Sequence, residues 1–210
     1  MTDASGPPQL YLISPPAFEL STFPARLAAC LDLAEVACVR LALATRDEDV
    51  ICRAADALRE VTHSRDVALV IETHAVLAER LGLDGVHLTD GARSVRAMRK
   101  KLGADTIVGA FCGRSSHDGM TAGEAGADYV SFGPAGASAL GDGSRAEPDL
   151  FQWWSDMIEV PVVAEGNLDE ETIRTLSPIT DFFGIGEEIW DVETPSDALR
   201  ALLRAMADAA

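Results

Sequence analysis

The chain is short of positive charge. Seventeen Lys and Arg stand against thirty-four Asp and Glu, a formal net charge of −17, and no basic cluster exceeds Arg99-Lys100-Lys101. A field of that sign repels nucleic acid and anionic membrane surfaces, so neither is expected as a partner. It does not exclude a small phosphorylated ligand, because backbone dipoles can capture a phosphate against the global field. Long apolar runs are missing too. The longest are strand-sized, so no membrane span is expected. Residues Met1 to Pro8 lack the basic and apolar regions of a signal peptide, and a cytoplasmic location is expected. Cysteine is scarce: Cys30, Cys38, Cys52 and Cys112 show no metal-ligand spacing and read as four buried reduced thiols. Nor does a Gly-x-Gly-x-x-Gly follow the first apolar run, where Ser14-Pro15-Pro16 stands instead. That absence weakens an open, doubly wound dinucleotide fold.

What is present is a repeat. The stretch Glu124–Pro134 reads as a helix closed by Gly126, then Asp128, then the short apolar run Tyr129-Val130-Ser131-Phe132, ended by Gly133-Pro134. A helix closed by Gly and followed at once by a β-rich run is the turn of a repeating β/α unit. The same phrase occurs as Leu81-Gly82-Leu83-Asp84-Gly85-Val86-His87-Leu88, and Gly82 lies forty-four residues before Gly126. A weaker echo, Thr180-Asp181-Phe182-Phe183-Gly184-Ile185, comes near the end. Strands are expected near 9–13, 37–43, 67–71, 85–88, 106–110, 129–132, 160–164 and 182–185, each followed by a helix. With 210 residues, 48% of them hydrophobic, there is chain enough for one sizeable core. Residues 1–8 read as a loose tail, and 9–210 as one (β/α)₈ barrel domain of the α/β class, a TIM barrel.

In such a barrel the loops after the strands form the working face. The runs at that face, together with the strands behind them, carry a resemblance. Leu10–Ser14, Asp84-Gly85-Val86-His87-Leu88, Ile107-Val108-Gly109, Ala127-Asp128-Tyr129-Val130-Ser131-Phe132-Gly133-Pro134 and Val160–Ala164 are similar to the thiamine-phosphate synthase/TenI family, in order and spacing, over nearly the whole chain. The resemblance implies a transferase that joins a hydroxymethylpyrimidine diphosphate to a thiazole phosphate with Mg²⁺ and releases diphosphate. That reaction is mostly ionisation. It needs cationic groups and oxygen ligands around the leaving group.

At those positions the chain departs from the family pattern. The lysine after strand two is Ala44, and Arg40 takes the place of a Gln. The metal-binding Asp after strand three is Thr73, beside Glu72; the one after strand four is Ala92, with Asp90 two places away. The serine after strand five is Phe111, and the TenI-type histidine is Gly113. The strand-six loop, Ala135–Gly141, carries no lysine. The phosphate turns after strands seven and eight read Glu165-Gly166 and Gly186-Glu187-Glu188. Carboxylates there oppose a phosphate by about 4 kcal/mol per unscreened pair at ~4 Å and an effective dielectric of ~20. The expected site is therefore a small-molecule pocket of Arg40, Glu72, His87, Asp90, Phe111, Gly166 and Gly186. Glu72 and Asp90 are the only candidate metal ligands, and Mg²⁺ is expected only with a surviving synthase activity. Arg114 and Arg145 are further candidate anion contacts. Trp153 and Trp154 read as packing, one of them facing outward, and a homo-oligomer is compatible with the sequence. Three functions follow as alternatives: a diverged barrel that binds a small heteroaromatic or phosphorylated ligand with the synthase site largely lost, an active synthase with rearranged ligands, and a non-catalytic regulatory relative.

Overall fold

A computed structural model describes residues 6–209. Most of the tail expected at 1–8 lies outside the described residues. Eight strands, β1 (Gln9–Ile13), β2 (Val36–Leu41), β3 (Ala68–Glu72), β4 (Gly85–Leu88), β5 (Ile107–Phe111), β6 (Tyr129–Phe132), β7 (Val162–Glu165) and β8 (Phe182–Ile185), pair in parallel and in sequence order. β8 pairs back onto β1 through Gln9–Phe182 and Leu12–Ile185, which closes the barrel. The helices α1 (Phe23–Leu31), α2 (Glu48–His63), α3 (Ala75–Leu81), α4 (Val95–Leu102), α5 (Ser116–Glu124), α6 (Pro148–Met157), α7 (Glu170–Leu176), α8 (Glu187–Trp190) and α9 (Pro195–Asp208) separate and follow the strands. Among the described residues no helix is long and apolar enough to cross a membrane.

The repeat seen in the sequence has a structural cause. Asp84, Asp128 and Asp181 sit just before β4, β6 and β8. Each side chain accepts a hydrogen bond from the preceding strand: from Leu69 N at 2.7 Å, Val108 N at 2.7 Å and Val162 N at 2.8 Å. The backbone N–H of each Asp returns the bond to the carbonyl of the same residue, at 3.0, 2.9 and 3.2 Å. Three of the four even-numbered strands, β4, β6 and β8, are thus clamped to their predecessors at the bottom of the barrel. Gly82, at φ +61, and Gly126, at φ +99, make the left-handed turns that deliver two of these aspartates.

Strand residues alternate between an outer face, packed under the helices, and the barrel interior. The pairing register climbs by about one residue per strand, as in barrels of this kind, so inward side chains fall into layers of four from alternate strands. From the bottom these are Cys38, Gly85, Tyr129 and Phe182; then Tyr11, Val70, Gly109 and Val163; then Arg40, His87, Ser131 and Gly184; and uppermost Ile13, Glu72, Phe111 and Glu165. The lower two layers are packed largely with apolar groups. Gly109 is required there: a Cβ on it would lie 2.0 Å from Cζ of the Tyr129 ring.

Several expectations need adjusting. β2 runs Val36–Leu41 rather than 37–43, and α1 before it begins at Phe23, with an N-cap, Thr22, that makes no capping side-chain bond. β7 begins at Val162 and extends to Glu165, because Pro161 has no N–H to give the ladder. Of the four cysteines, all free, Cys52 is only partly buried. Trp154 is buried and Trp153 is exposed, since adjacent residues of a helix point about 100° apart and only one of the two can face the barrel. The short α8 was not foreseen.

Candidate functional site

The uppermost layer opens into a pocket of about 570 Å³ at the C-terminal ends of the strands, lined by Ser14, Arg40, Glu72, Leu140, Glu165 and Glu188 among others. Its chemistry begins with an ion pair. Arg40 points inward from β2 and Glu165 inward from β7; their side chains are 5% and 1% exposed. The guanidinium grips the carboxylate through two nitrogens, Nη1 to Oε1 at 3.3 Å and Nη2 to Oε2 in closer contact. Arg40 Nε lies 3.6 Å from a Glu72 oxygen, and the guanidinium carbon sits 5.7 Å from the centre of the Tyr11 ring. Burial alone would lower the Arg40 pKa, but the neighbouring Glu165 keeps the guanidinium firmly charged. Burial pushes the Glu72 carboxyl above its ordinary range; Arg40 opposes that shift and Glu165 adds to it.

The charges at the strand-seven and strand-eight loops do not simply confront one another. Glu188, on α8, turns its carboxylate back onto the backbone. One oxygen accepts from Leu168 N at 2.8 Å and the other from Gly186 N at 2.6 Å. Glu187 is held by Ser138 Oγ at 3.3 Å. Burial raises the Glu188 pKa, and its two backbone donors restrain the rise. The wall as a whole is acidic, with Glu72, Glu165, Glu187, Glu188 and Asp191 facing a single cation, Arg40.

Below the pocket runs a chain of hydrogen bonds. Tyr11 OH and Tyr129 OH lie 2.7 Å apart, and Tyr129 OH lies 2.9 Å from His87 Nδ1. Burial, and then the Arg40 charge, hold the His87 pKa well below its ordinary value, so the ring is neutral.

Of the residues expected at the site, Arg40, Glu72, Gly166 and Gly186 meet at this pocket. His87 is a layer deeper. Phe111 stands at the opposite side of the mouth, against the strand-six loop, where a Cβ on Gly141 would be 3.3 Å from its ring. Asp90 is elsewhere, accepting from Ser94 Oγ at 2.6 Å. Arg145 lies outside the pocket and donates to Ala135 O at 3.0 Å; Arg114 does not line it either. The inward turn of Glu165 was missed, although alternation from Val163 would have indicated it. Ser131 was missed for the same reason. Glu188 gave no periodic signal, because α8 is too short to show one.

A Mg²⁺ ion, which the resemblance implies, does not fit this donor set. Glu72 is drawn to Arg40 and Asp90 to Ser94. Thr73, with φ +66, lies with its hydroxyl 3.5 Å from that of Thr89. Among the described residues no three His, Cys, Asp or Glu side chains are grouped to hold a metal.

The sequence model of the thiamine monophosphate synthase family matches residues 10–180. The thiamine-phosphate synthase of Rhodospirillum centenum is 42% identical over 195 residues, covering 91% of each chain. That of Erythrobacter litoralis is 36% identical over 196 residues, covering 90% of this chain and 92% of the other. Among solved structures, the thiamine phosphate pyrophosphorylase of Pyrococcus furiosus superposes with a TM-score of 0.83 at 17% identity, over 96% of each chain. At that identity the superposition speaks for the barrel alone.

Proposed function

Since the chain belongs to the thiamine monophosphate synthase family, we propose that its pocket binds a small heteroaromatic ligand without a phosphate, and that the synthase reaction has been lost. The observation that carries this reading is Glu188. Its carboxylate occupies the N–H groups of Leu168 and Gly186, in the loops after β7 and β8, where barrels of this class commonly bind phosphate. The protein supplies its own anion there. The Arg40–Glu165 pair supports the same reading, because the one cation of the pocket is already neutralised. A departing diphosphate would find no free positive group, and losing even one such donor costs ~10²–10³ in rate.

A second reading, an active synthase with unfamiliar ligands, is favoured by the names of the two relatives, which are 42% and 36% identical. One assay separates them: thiamine phosphate appearance from hydroxymethylpyrimidine diphosphate and thiazole phosphate at saturating Mg²⁺, beside an authentic synthase. No product is expected, and restoring Ala44→Lys alone is expected not to rescue it. Turnover within about tenfold of the control, against the ~10²–10³ loss argued above, would establish the second reading.

A further inference from the structure

Five of the seventeen cations fall between Arg93 and Lys101, and no Asp or Glu stands among them. Arg99 is engaged at the bottom of the barrel by the Asp128 carboxylate and the carbonyls of Gly126, Gly103 and Thr106. Arg93, Arg96, Lys100 and Lys101 are exposed, and among the described residues none of them pairs with a carboxylate. On α2, α7 and α9, by contrast, an arginine pairs with an acid about one turn away. Arg96 works against its own helix. It lies in the first turn of α4, the end that favours anions, and one turn before Lys100, a like charge on the same side. No contact among the described residues offsets that. The outward arc of α4 is Arg96, Ala97, Lys100 and Lys101, cations around a small apolar centre. Val76, on the neighbouring α3, is 61% exposed.

The opposite side of the barrel carries the counterpart. α4 follows β4, and the loop between α8 and α9 follows β8, four strands away in a ring of eight. That loop exposes Asp191, Val192 and Glu193. Arg26 holds it in place, donating to the carbonyls of Trp190 at 3.2 Å and Val192 at 3.4 Å. Trp190 meets Phe23 edge-on and Phe23 stacks on Phe18, which brings the exposed Glu19 and Leu20 to the same side. Leu20 and Val192 are 39% and 42% exposed. Glu19, Asp191 and Glu193 form no ion pair among the described residues. One face is thus basic around an apolar centre, and the other acidic around an apolar centre.

We propose that the α4 face of one molecule docks on the Glu19–Leu20 and Asp191–Glu193 face of a second copy, cations against carboxylates and apolar against apolar. Two different faces meet, so the contact is heterologous and successive copies add head to tail. Each molecule carries a net charge of −17, which opposes association at long range. At about 0.15 M ionic strength the screening length is ~8 Å, so facing charges still act while that distant repulsion is largely hidden. Asp191 also lines the pocket, so the second copy stands at the rim of its mouth.

Sedimentation velocity over a range of protein concentrations tests this at ionic strengths of about 0.01, 0.15 and 1 M. Association is expected to be strongest at the middle value, because repulsion reaches further at the lowest and the facing pairs are screened at the highest. Arg96→Glu with Lys100→Glu, and separately Glu19→Lys with Glu193→Lys, should each weaken self-association at least about tenfold, since like charges then face one another. An equimolar mixture of the two variants should regain it, because each altered face meets a complement. Unchanged near-ultraviolet circular dichroism in both variants keeps a folding defect apart from a docking defect. A monomer at every concentration, association that rises steadily with salt, charge reversals without effect, or a mixture as weak as its components would each overturn the proposal.

Discussion

Arg40 and Glu165 are separated by 125 residues in the chain and joined in the barrel mouth, so their energetics can be tested as a pair. Removing one partner of a buried ion pair strands the other charge and typically costs about 3–5 kcal/mol, while replacing both by apolar groups is often neutral. Arg40→Met alone should therefore destabilise the protein strongly, and Arg40→Met with Glu165→Met should recover most of the loss. Urea unfolding of the single and double variants decides this. A double variant as unstable as the sum of the singles would mean that the pair is not one unit. Glu72 gives a pH-dependent counterpart. Burial raises its folded pKa above the ordinary ~4.3. Between those two values the native state holds a proton that the unfolded chain has released, so this contribution is present at low pH and is lost as pH rises. Glu72→Gln should flatten that decline between about pH 4.3 and the raised folded value. Parallel curves for the two proteins would refute it.

At the scale of elements, much of the fold could be read directly. β1, β4, β6 and β8 have the bounds that their apolar runs and flanking glycines and aspartates suggest. Helix starts are not fixed by the letters alone, since capping depends on geometry that a letter does not carry. Asp47 caps α2, accepting from Asp49 N at 3.0 Å and Val50 N at 3.2 Å, whereas Thr22, at the N-cap of α1, makes no such side-chain bond. The site was legible only in part, because a strand end shows which residues are near the mouth but not which of them pair. Glu165 looked like a repelling charge until the inward turn of Arg40 gave it a partner. The aspartate clamps make a prediction at this scale. Asp128→Ala removes a charged acceptor from Val108 N and a partner from Arg99. A hydrogen bond to a charged group contributes about 1.5–3 kcal/mol, and a loss of that order is expected in chemical denaturation. Because the clamp lies at the bottom of the barrel, ligand affinity at the top should stay unchanged. A ligand-binding defect without a stability loss would contradict the assignment.

For the whole molecule, the net charge of −17 and the acidic pocket act in the same direction. A protein organised to hold diphosphate concentrates positive potential at its site, so lowering the salt strengthens binding. Here the distant charges repel the anion as well, and salt only hides them: the screening length falls from ~30 Å at 0.01 M to ~3 Å at 1 M ionic strength. The nearest potential partners are also engaged, Arg40 by Glu165 and the N–H groups of Leu168 and Gly186 by Glu188. Diphosphate should therefore bind weakly at all salt concentrations, and more weakly as salt is removed. A neutral ring compound feels neither term, and its affinity should be nearly independent of salt. Calorimetric titration of both at low and high ionic strength tests the argument. Tight diphosphate binding that strengthens at low salt would require a cluster of free positive charge in the mouth, and the heteroaromatic reading would fall with it.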